Sequence, residues 1–550
     1  MTTALGYTAG FHQTCRAVLR RALLLSLCLL FSAAPLYAFS SANIPLDSEI
    51  YHYIDKLAGY GLIKGDVKGI KPYSKAEAAR LVLEAEQRLA EQDDVSPPLA
   101  RALISRIREL IPREVMLRQS QDKKIPFADL NPVSSLRMRY VYLDGLPRDY
   151  QRQVNDPGGD GIFGIGSWLR PRNPYPTPAN QRGTEGTPLL ENNNGVINQR
   201  GSNGEIRWAL EGYITDLVSG VLEPTALVSA HDHRISLNRG YIKIGGGAVE
   251  LEAGKDEGWY GLGYRGAITL TSNAENFTLL KLSSPEPFAV PYIGDVKYSI
   301  IGSRFDKTVV DGLERQPWFY ALKLSLKPTD NLEIGFNLGR QVGGPGVDNS
   351  IGSILRGLIG GTGKDNSNSL AGVELRYRLA GLRNIELYGE ISGEDTGSTW
   401  PFVAESYVGG VYVPRLTDDG LNDLRFEFFQ GNYILYTNNT FPNGYIYKNM
   451  PIGHSQGGAT QDYFTRYSHW FSARNTIALE YIFTKRGNFG RMPGQAVERK
   501  NAGRIWWTVP IVGDFNAKLM YGIEHINNLN LVGGVQQTNQ IALVELTYRY

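Results

Sequence analysis

The sequence predicts a mainly β fold, an antiparallel outer-membrane β-barrel of about 18 strands with a small helical bundle on the periplasmic side. Three observations carry that expectation. Apolar residues recur at helical spacing over residues 43–125 and at every second position over 130–550. From residue 327 onward, short polar connections alternate with long Gly-rich ones. The chain also opens on a segment of the kind that directs export.

That opening segment, residues 1–38, places Arg16, Arg20 and Arg21 before the apolar run "ALLLSLCLLFSAAP" and the small residue Ala38. A basic flank, a short apolar core and a small residue describe a bacterial signal peptide, cleaved after Ala38 with Ala42 as the alternative. The run falls short of the roughly 20 residues that a spanning helix needs. Leu27 before Cys28 does not suit a lipoprotein anchor, and Cys15 and Cys28 both fall within the leader, so no disulfide is expected in the exported chain. The remaining residues are rich in Gly (62 in all), Tyr (31) and Trp (8), and the formal net charge is only +2. Near-balanced charge without a basic stripe argues against nucleic acid as a partner.

Three helices are expected first. "PLDSEIYHYIDKLAGYGLIKG" offers Asp47 as N-cap, Ile50, Tyr53, Ile54 and Leu57 on one face, and Gly59 and Gly61 as stops. "SKAEAARLVLEAEQRL" opens with the capping box Ser74 and Glu77. "SPPLARALISRIRELIP" has Ser96 as cap and Pro97 at the first helical position. The first two helices, joined by "GLIKGDVKGIKPYS", resemble one S-layer-homology unit, a module that binds cell-wall polymers. A bundle packing against the rest of the chain is the preferred reading.

Strict alternation follows. "LRMRYVYL" sets Leu136, Met138, Tyr140 and Tyr142 against Arg137, Arg139 and Val141. "GVELRYRL" sets Val373, Leu375, Tyr377 and Leu379 against Glu374, Arg376 and Arg378, and "NIELYGEI" sets Ile385, Leu387 and Ile391 against Glu386, Tyr388 and Glu390. A membrane barrel turns the apolar face to lipid and the charged face to its lumen. Eight strands are expected near 134–143, 205–217, 221–231, 236–244, 248–255, 276–283, 295–305 and 317–327, and about ten beyond. The last, "IALVELTYRY", closes against the first. Its Tyr548 and Tyr550 resemble the terminal signal read by barrel-assembly machinery.

The stretch "LEAGKDEGWYGLGYRGAITLTSNAENFTLLKLSSPEPFAVPYIGDVKYSIIG" resembles the capsule assembly Wzi family, whose members carry Gly-Arg…Trp-Trp-Gly-Pro-Gly followed by Asn-Ala. Gly254, Trp259, Gly261, Gly263, Gly266, Asn273 and Ala274 match, while Lys255, Tyr260 and Leu262 replace the Arg, the second Trp and the Pro. "NLEIGFNLGRQVGGPG", "LAGVELRYRL", "LYGEISGED" and "NGYIYKNMPIGHSQGG" resemble the family's later blocks in order. The resemblance implies an outer-membrane lectin of a Gram-negative bacterium, its barrel closed by the N-terminal helices, that helps attach capsular polysaccharide or exopolysaccharide to the cell surface. A monomer in outer-membrane lipid is expected, with no cofactor and no metal. The alternative is a porin or polysaccharide-export channel.

Sugars are held by aromatic faces together with amides, carboxylates and cations. The candidates are Lys255, Asp256, Trp259, Tyr260, Tyr264 and Arg265, with Tyr445, Tyr447, Lys448 and His454 in a second block. The competing role for each is an interfacial aromatic anchor or a lumenal ion-pair partner. Three enzyme-like patterns are weaker. "GHSQG" around Ser455 fits a nucleophile elbow but lies in a Gly-rich loop. "HDH" at His231 to His233 lacks a third ligand. Glu394 and Asp395 are chain neighbours that a strand points to opposite faces. No catalytic function is expected.

Overall fold

A computed structural model describes residues 39–549 except 92–96, 120–125, 155–178, 231, 311, 344–366, 395–403, 439–440, 442 and 489–490. The leader at 1–38, the cap Ser96 and the terminal Tyr550 therefore lie outside the described residues.

Four helices precede the barrel: α1 Ile50–Gly59, α2 Lys75–Glu91, α3 Pro98–Leu110 and α4 Pro112–Gln119. The short α4, with its weak apolar face, is a helix the sequence reading missed. Its buried Val115 joins the core that Ile50, Tyr53, Ile54 and Leu57 share with Leu81, Leu103 and Ile107. Two caps differ from expectation. Asp47 does not cap α1, whose N-cap Glu49 makes no side-chain cap bond; the Asp47 carboxylate pairs instead with Arg137 and Arg549, because charge-assisted bonds to two guanidiniums outweigh one to a neutral amide. Pro97 is the N-cap of α3 and Pro98 its first residue. The Ser74 hydroxyl does accept the Glu77 amide at 3.0 Å. The Glu77 carboxylate turns away to Lys297, 2.5 Å distant, so only half of the box forms.

The barrel strands are β1 Ala128–Asp144, β2 Gly201–Ile214, β3 Val218–Ser229, β4 His233–Gly246, β5 Val249–Lys255 and β6 Thr278–Ser283. Next come β7 Gly294–Arg304, β8 Trp318–Thr329, β9 Leu332–Val342, β10 Asn368–Leu379, β11 Ile385–Glu394 and β12 Ala404–Val413. The wall is completed by β13 Asn422–Gly431, β14 Thr460–Ser472, β15 Asn475–Arg486, β16 Glu498–Val512, β17 Phe515–Asn527 and β18 Gln536–Arg549. All pair antiparallel with their neighbours in one closed barrel of 18 strands. The seam joins β1 to β18, from Ser135 opposite Arg549 to Asp144 opposite Gln540.

Alternation sorts the faces as the sequence implies. Leu375, Tyr377, Leu387, Met138, Tyr140 and Val544 are exposed to the outside, while Glu374, Arg376, Glu390, Arg137 and Glu545 are buried in the lumen. Connections at one rim run to ten residues or fewer, and the bundle sits against that rim. Tyr60 donates to the Gly420 carbonyl at 2.9 Å, Asn384 donates to the Gly59 carbonyl at 3.0 Å, and Arg106 reaches Asp514 at 3.2 Å. The opposite rim carries the long connections, with three shorter ones among them: 230–232, 395–403 and 528–535.

Inside, bundle and wall are tied by buried ion pairs. Asp66 lies 2.7 Å from Arg376, 2.8 Å from Arg378 and 3.5 Å from Lys327. Lys56 meets Asp423 at 3.1 Å, and Lys68, itself paired with Asp55 of the bundle, meets Glu386 at 3.0 Å. Such groups are costly to desolvate, so each is held only while its partner is present.

Candidate functional site

The 256–277 connection between β5 and β6 does not project outward. It folds back into the lumen, where Trp259 and Tyr260 form a two-residue antiparallel ribbon with Lys71 and Ile70 of the bundle. The Tyr264 and Arg265 amides then donate to the Glu427 carboxylate on the far wall at 2.6 and 2.9 Å. Glycine is required along this path. A Cβ on Gly263 would lie 1.9 Å from the Gly266 carbonyl oxygen, and one on Gly266 would lie 2.3 Å from the His454 ring. The 432–459 connection enters beside it, with the Tyr436 and Tyr445 hydroxyls donating to the Ile268 and Thr269 carbonyls at 2.6 and 3.1 Å. Tyr260, Ile268, Phe319, Phe429, Tyr445 and Ile452 share the apolar core that results.

Most of the ten candidate side chains are drawn into this packing. Asp256 is buried and accepts from Asn43 at 2.7 Å. Burial, with Glu252 beside it, pushes its carboxyl up to about 7. Tyr260 is buried and donates to Ser299 at 2.7 Å. Arg265 is clamped by Asp462 at 2.6 Å and Glu191 at 3.2 Å. Tyr445 stacks on Tyr436. His454 lies flat on Phe429 with centroids 3.6 Å apart, and burial lowers its pKa to about 3. Trp259 and Tyr264 line an internal cavity. In that cavity Lys71 sits over Trp259, while Arg425 covers the Tyr264 ring, 4.5 Å from its centroid.

Three candidates reach the outer rim together. Lys255 and Lys448 both meet Glu275 Oε1, at 2.7 and 2.9 Å. Burial of Glu275 is outweighed by these two bonds, so its carboxyl is held below the usual range. Tyr447, half-buried against Phe277 and Phe305, lies under the Lys448 ammonium. Lys448 and Glu275 line a groove of about 260 Å³ with Gln199, Asp232 and Arg234. Sequence reasoning missed Glu275, Gln199 and Arg234, since no local pattern joins residues so far apart. Asp232, within "HDH", was weighed only as part of a metal motif; among the described residues no cluster of three metal-ligating side chains occurs.

The internal cavity, about 350 Å³, lies between α1 and the inward loop. The "GHSQG" stretch is a turn running into β14 rather than a strand–turn–helix. Among the described residues, the buried Ser455 hydroxyl accepts only from Gln456, at 3.3 Å. Asp395 lies outside the described residues, and Glu394 accepts the Tyr436 amide at 2.5 Å.

A closed 18-stranded wall, apolar outside and charged within, with its lumen filled from both rims, defines an outer-membrane β-barrel. The sequence profile of the capsule assembly protein Wzi family matches residues 170–541, and the chain belongs to that family. Among solved structures it is similar to Wzi of Escherichia coli, described as an outer membrane protein involved in group 1 capsule assembly and a carbohydrate-binding β-barrel. The two share 15% identity over 92% of this chain and 99% of the other, with a TM-score of 0.65. OpdQ of Pseudomonas aeruginosa aligns at 12% identity over 76% of this chain and 97% of its own, with a TM-score of 0.40. OprD of the same organism aligns at 9% identity over 78% and 97%, with a TM-score of 0.41. No curated protein sequence matches.

Proposed function

We propose that the protein binds a surface polysaccharide at its outer rim, without catalysis, and so helps attach or assemble capsule or exopolysaccharide. The observation that carries this reading is the groove lined by Lys448, Glu275, Gln199, Asp232 and Arg234, with Lys255 meeting Glu275 and Tyr447 lying under Lys448 beside it. It combines an aromatic edge with charged and amide groups, the set that hydroxylated and acidic sugars need. Family membership supports the reading. On the same reading, residues 1–38 are the export leader and the short-turn rim with its bundle faces the periplasm. Tyr548 and Tyr550 address the chain to barrel-assembly machinery, and it works as a monomer.

Deleting the gene should release polymer into the medium while synthesis continues, and unchanged retention would sink the proposal. Complementation with Lys255→Met and Lys448→Met together should fail to restore retention, and should lower polymer affinity about a hundredfold or more by removing two charge-assisted bonds worth about 1.5 kcal/mol or more each. The barrel's melting temperature should fall only slightly, because the loss is confined to the part-exposed pairs with Glu275 at the rim.

A further inference from the structure

The internal cavity carries charge that its own walls leave unbalanced. Ten Lys and Arg side chains line it against eight Asp and Glu. Each of the eight arginines has a carboxylate within 4 Å. Lys71 and Lys518 differ. Among the described residues, neither ammonium has a hydrogen bond or a carboxylate at ion-pair distance. Lys71 rests 5.6 Å from the Tyr51 and Trp259 ring centroids, and Lys518 rests 4.7 Å from that of Trp506. The two wall carboxylates outside an ion pair are already engaged. Glu49 accepts from Asn516 at 3.2 Å, and Glu257 accepts from the Leu46 amide and from Asn194, both at 2.7 Å.

Both lysines are part-buried at the cavity, and a ring face supplies only part of what an ammonium gains from a paired anion. The cavity volume falls at the lower end of small-molecule sites, which start near roughly 300 Å³, and so suits one sugar ring rather than a polymer. Its wall also includes the Trp259 ring, which Lys71 overlies, and the Asn192 side-chain oxygen, which accepts no hydrogen bond among the described residues. We propose that this cavity binds one acidic monosaccharide, its carboxylate drawn in by the charge of Lys71 and Lys518 and its ring beside Trp259. The site lies inside the lumen and is separate from the outer groove, so neither reading depends on the other.

The test uses the full chain in detergent, equilibrated overnight with D-glucuronate, D-glucose or sulfate, and read by calorimetry and tryptophan fluorescence. D-glucuronate should bind at least about tenfold more tightly than either of the others. Lys71→Met with Lys518→Met should abolish that preference and leave the melting temperature of the ligand-free protein unchanged or raised, as removal of unbalanced charge requires. Each single variant should weaken D-glucuronate binding, which keeps the test valid if the double variant does not fold. Lys255→Met with Lys448→Met should leave it unaffected. Equal binding of glucose or sulfate, absence of glucuronate binding, or binding that survives the double lysine variant would overturn the assignment.

Discussion

At the scale of single residues, the lumen responds to acid in two different ways. Burial alone would raise the Asp66 pKa, but Arg376, Arg378, Lys327 and Lys68 hold it well below the usual carboxylate range. A depressed carboxyl contributes its stability above its unfolded value, near 4, and loses it only as pH falls toward the folded value. The Asp66 latch should therefore be constant from neutral pH down to about pH 4. His52 and His454 are different, since burial, joined for His52 by Arg466, lowers both to about 3. The unfolded chain protonates them below about 6.5 while the folded one does not. Each therefore removes up to about 1.4 kcal/mol per pH unit across that window. Asp256, held near 7 in the fold, gains stability over the same window and works the other way, so the check is differential: as pH drops from 6.5 to 4, the melting temperature of His454→Asn should rise relative to that of the parent. Asp66→Asn, by contrast, should cost about 3–5 kcal/mol at neutral pH, because it leaves buried guanidiniums short of a partner. Accelerated tryptic cleavage of the bundle would report that loss. Trp259→Ala is expected to act on stability rather than polymer affinity, since its ring is buried in the lumen.

At the scale of elements, strands were legible and the inward loops were not. An alternating run such as 371–379 declares both its period and its two faces, because lipid and lumen impose opposite demands on successive residues. The charged face was read correctly as lumenal, but its partners were not, and Asp47 passed for a helix cap. The path of 256–277 depends on bonds such as Tyr264 to Glu427, between residues separated by 163 positions, and neither end leaves a local pattern. The Gly-rich spacing that carried the family resemblance was the one visible trace of that path. Its physical meaning is the close approach of Gly263, Gly266 and His454. Gly266→Ala should push His454 off Phe429 and separate the two loops, read as a lower melting temperature together with new protease sensitivity in 432–459.

At the scale of the whole molecule, the barrel is filled twice, by the bundle at the short-turn rim and by the loop core toward the other. The intact protein should be nearly silent in planar bilayers. Deleting residues 43–119 alone should leave conductance low, since Tyr260, Ile268, Phe429 and Tyr445 still fill the section beyond. Steady large conductance from the intact chain would favour a porin. The ten candidate residues show the same limit of sequence reading. Three met at the outer rim and seven were drawn inward, because alternation reports which way a strand residue faces but not how far a loop reaches.

The pairing of Asp47 has a consequence for biogenesis. Its two guanidinium partners stand on opposite sides of the seam, Arg137 on β1 and Arg549 on β18. The strands they belong to are separated by nearly the whole length of the wall, so closure is the slowest kind of contact a chain can make. A chain whose final strand has not docked leaves Asp47 with one partner. The completed circle gives it both, with the helices already enclosed. One carboxylate thus acts as a latch across the joint. Asp47→Asn should slow the appearance of the compact, heat-modifiable form on gels during refolding, while leaving the register of every other strand unchanged.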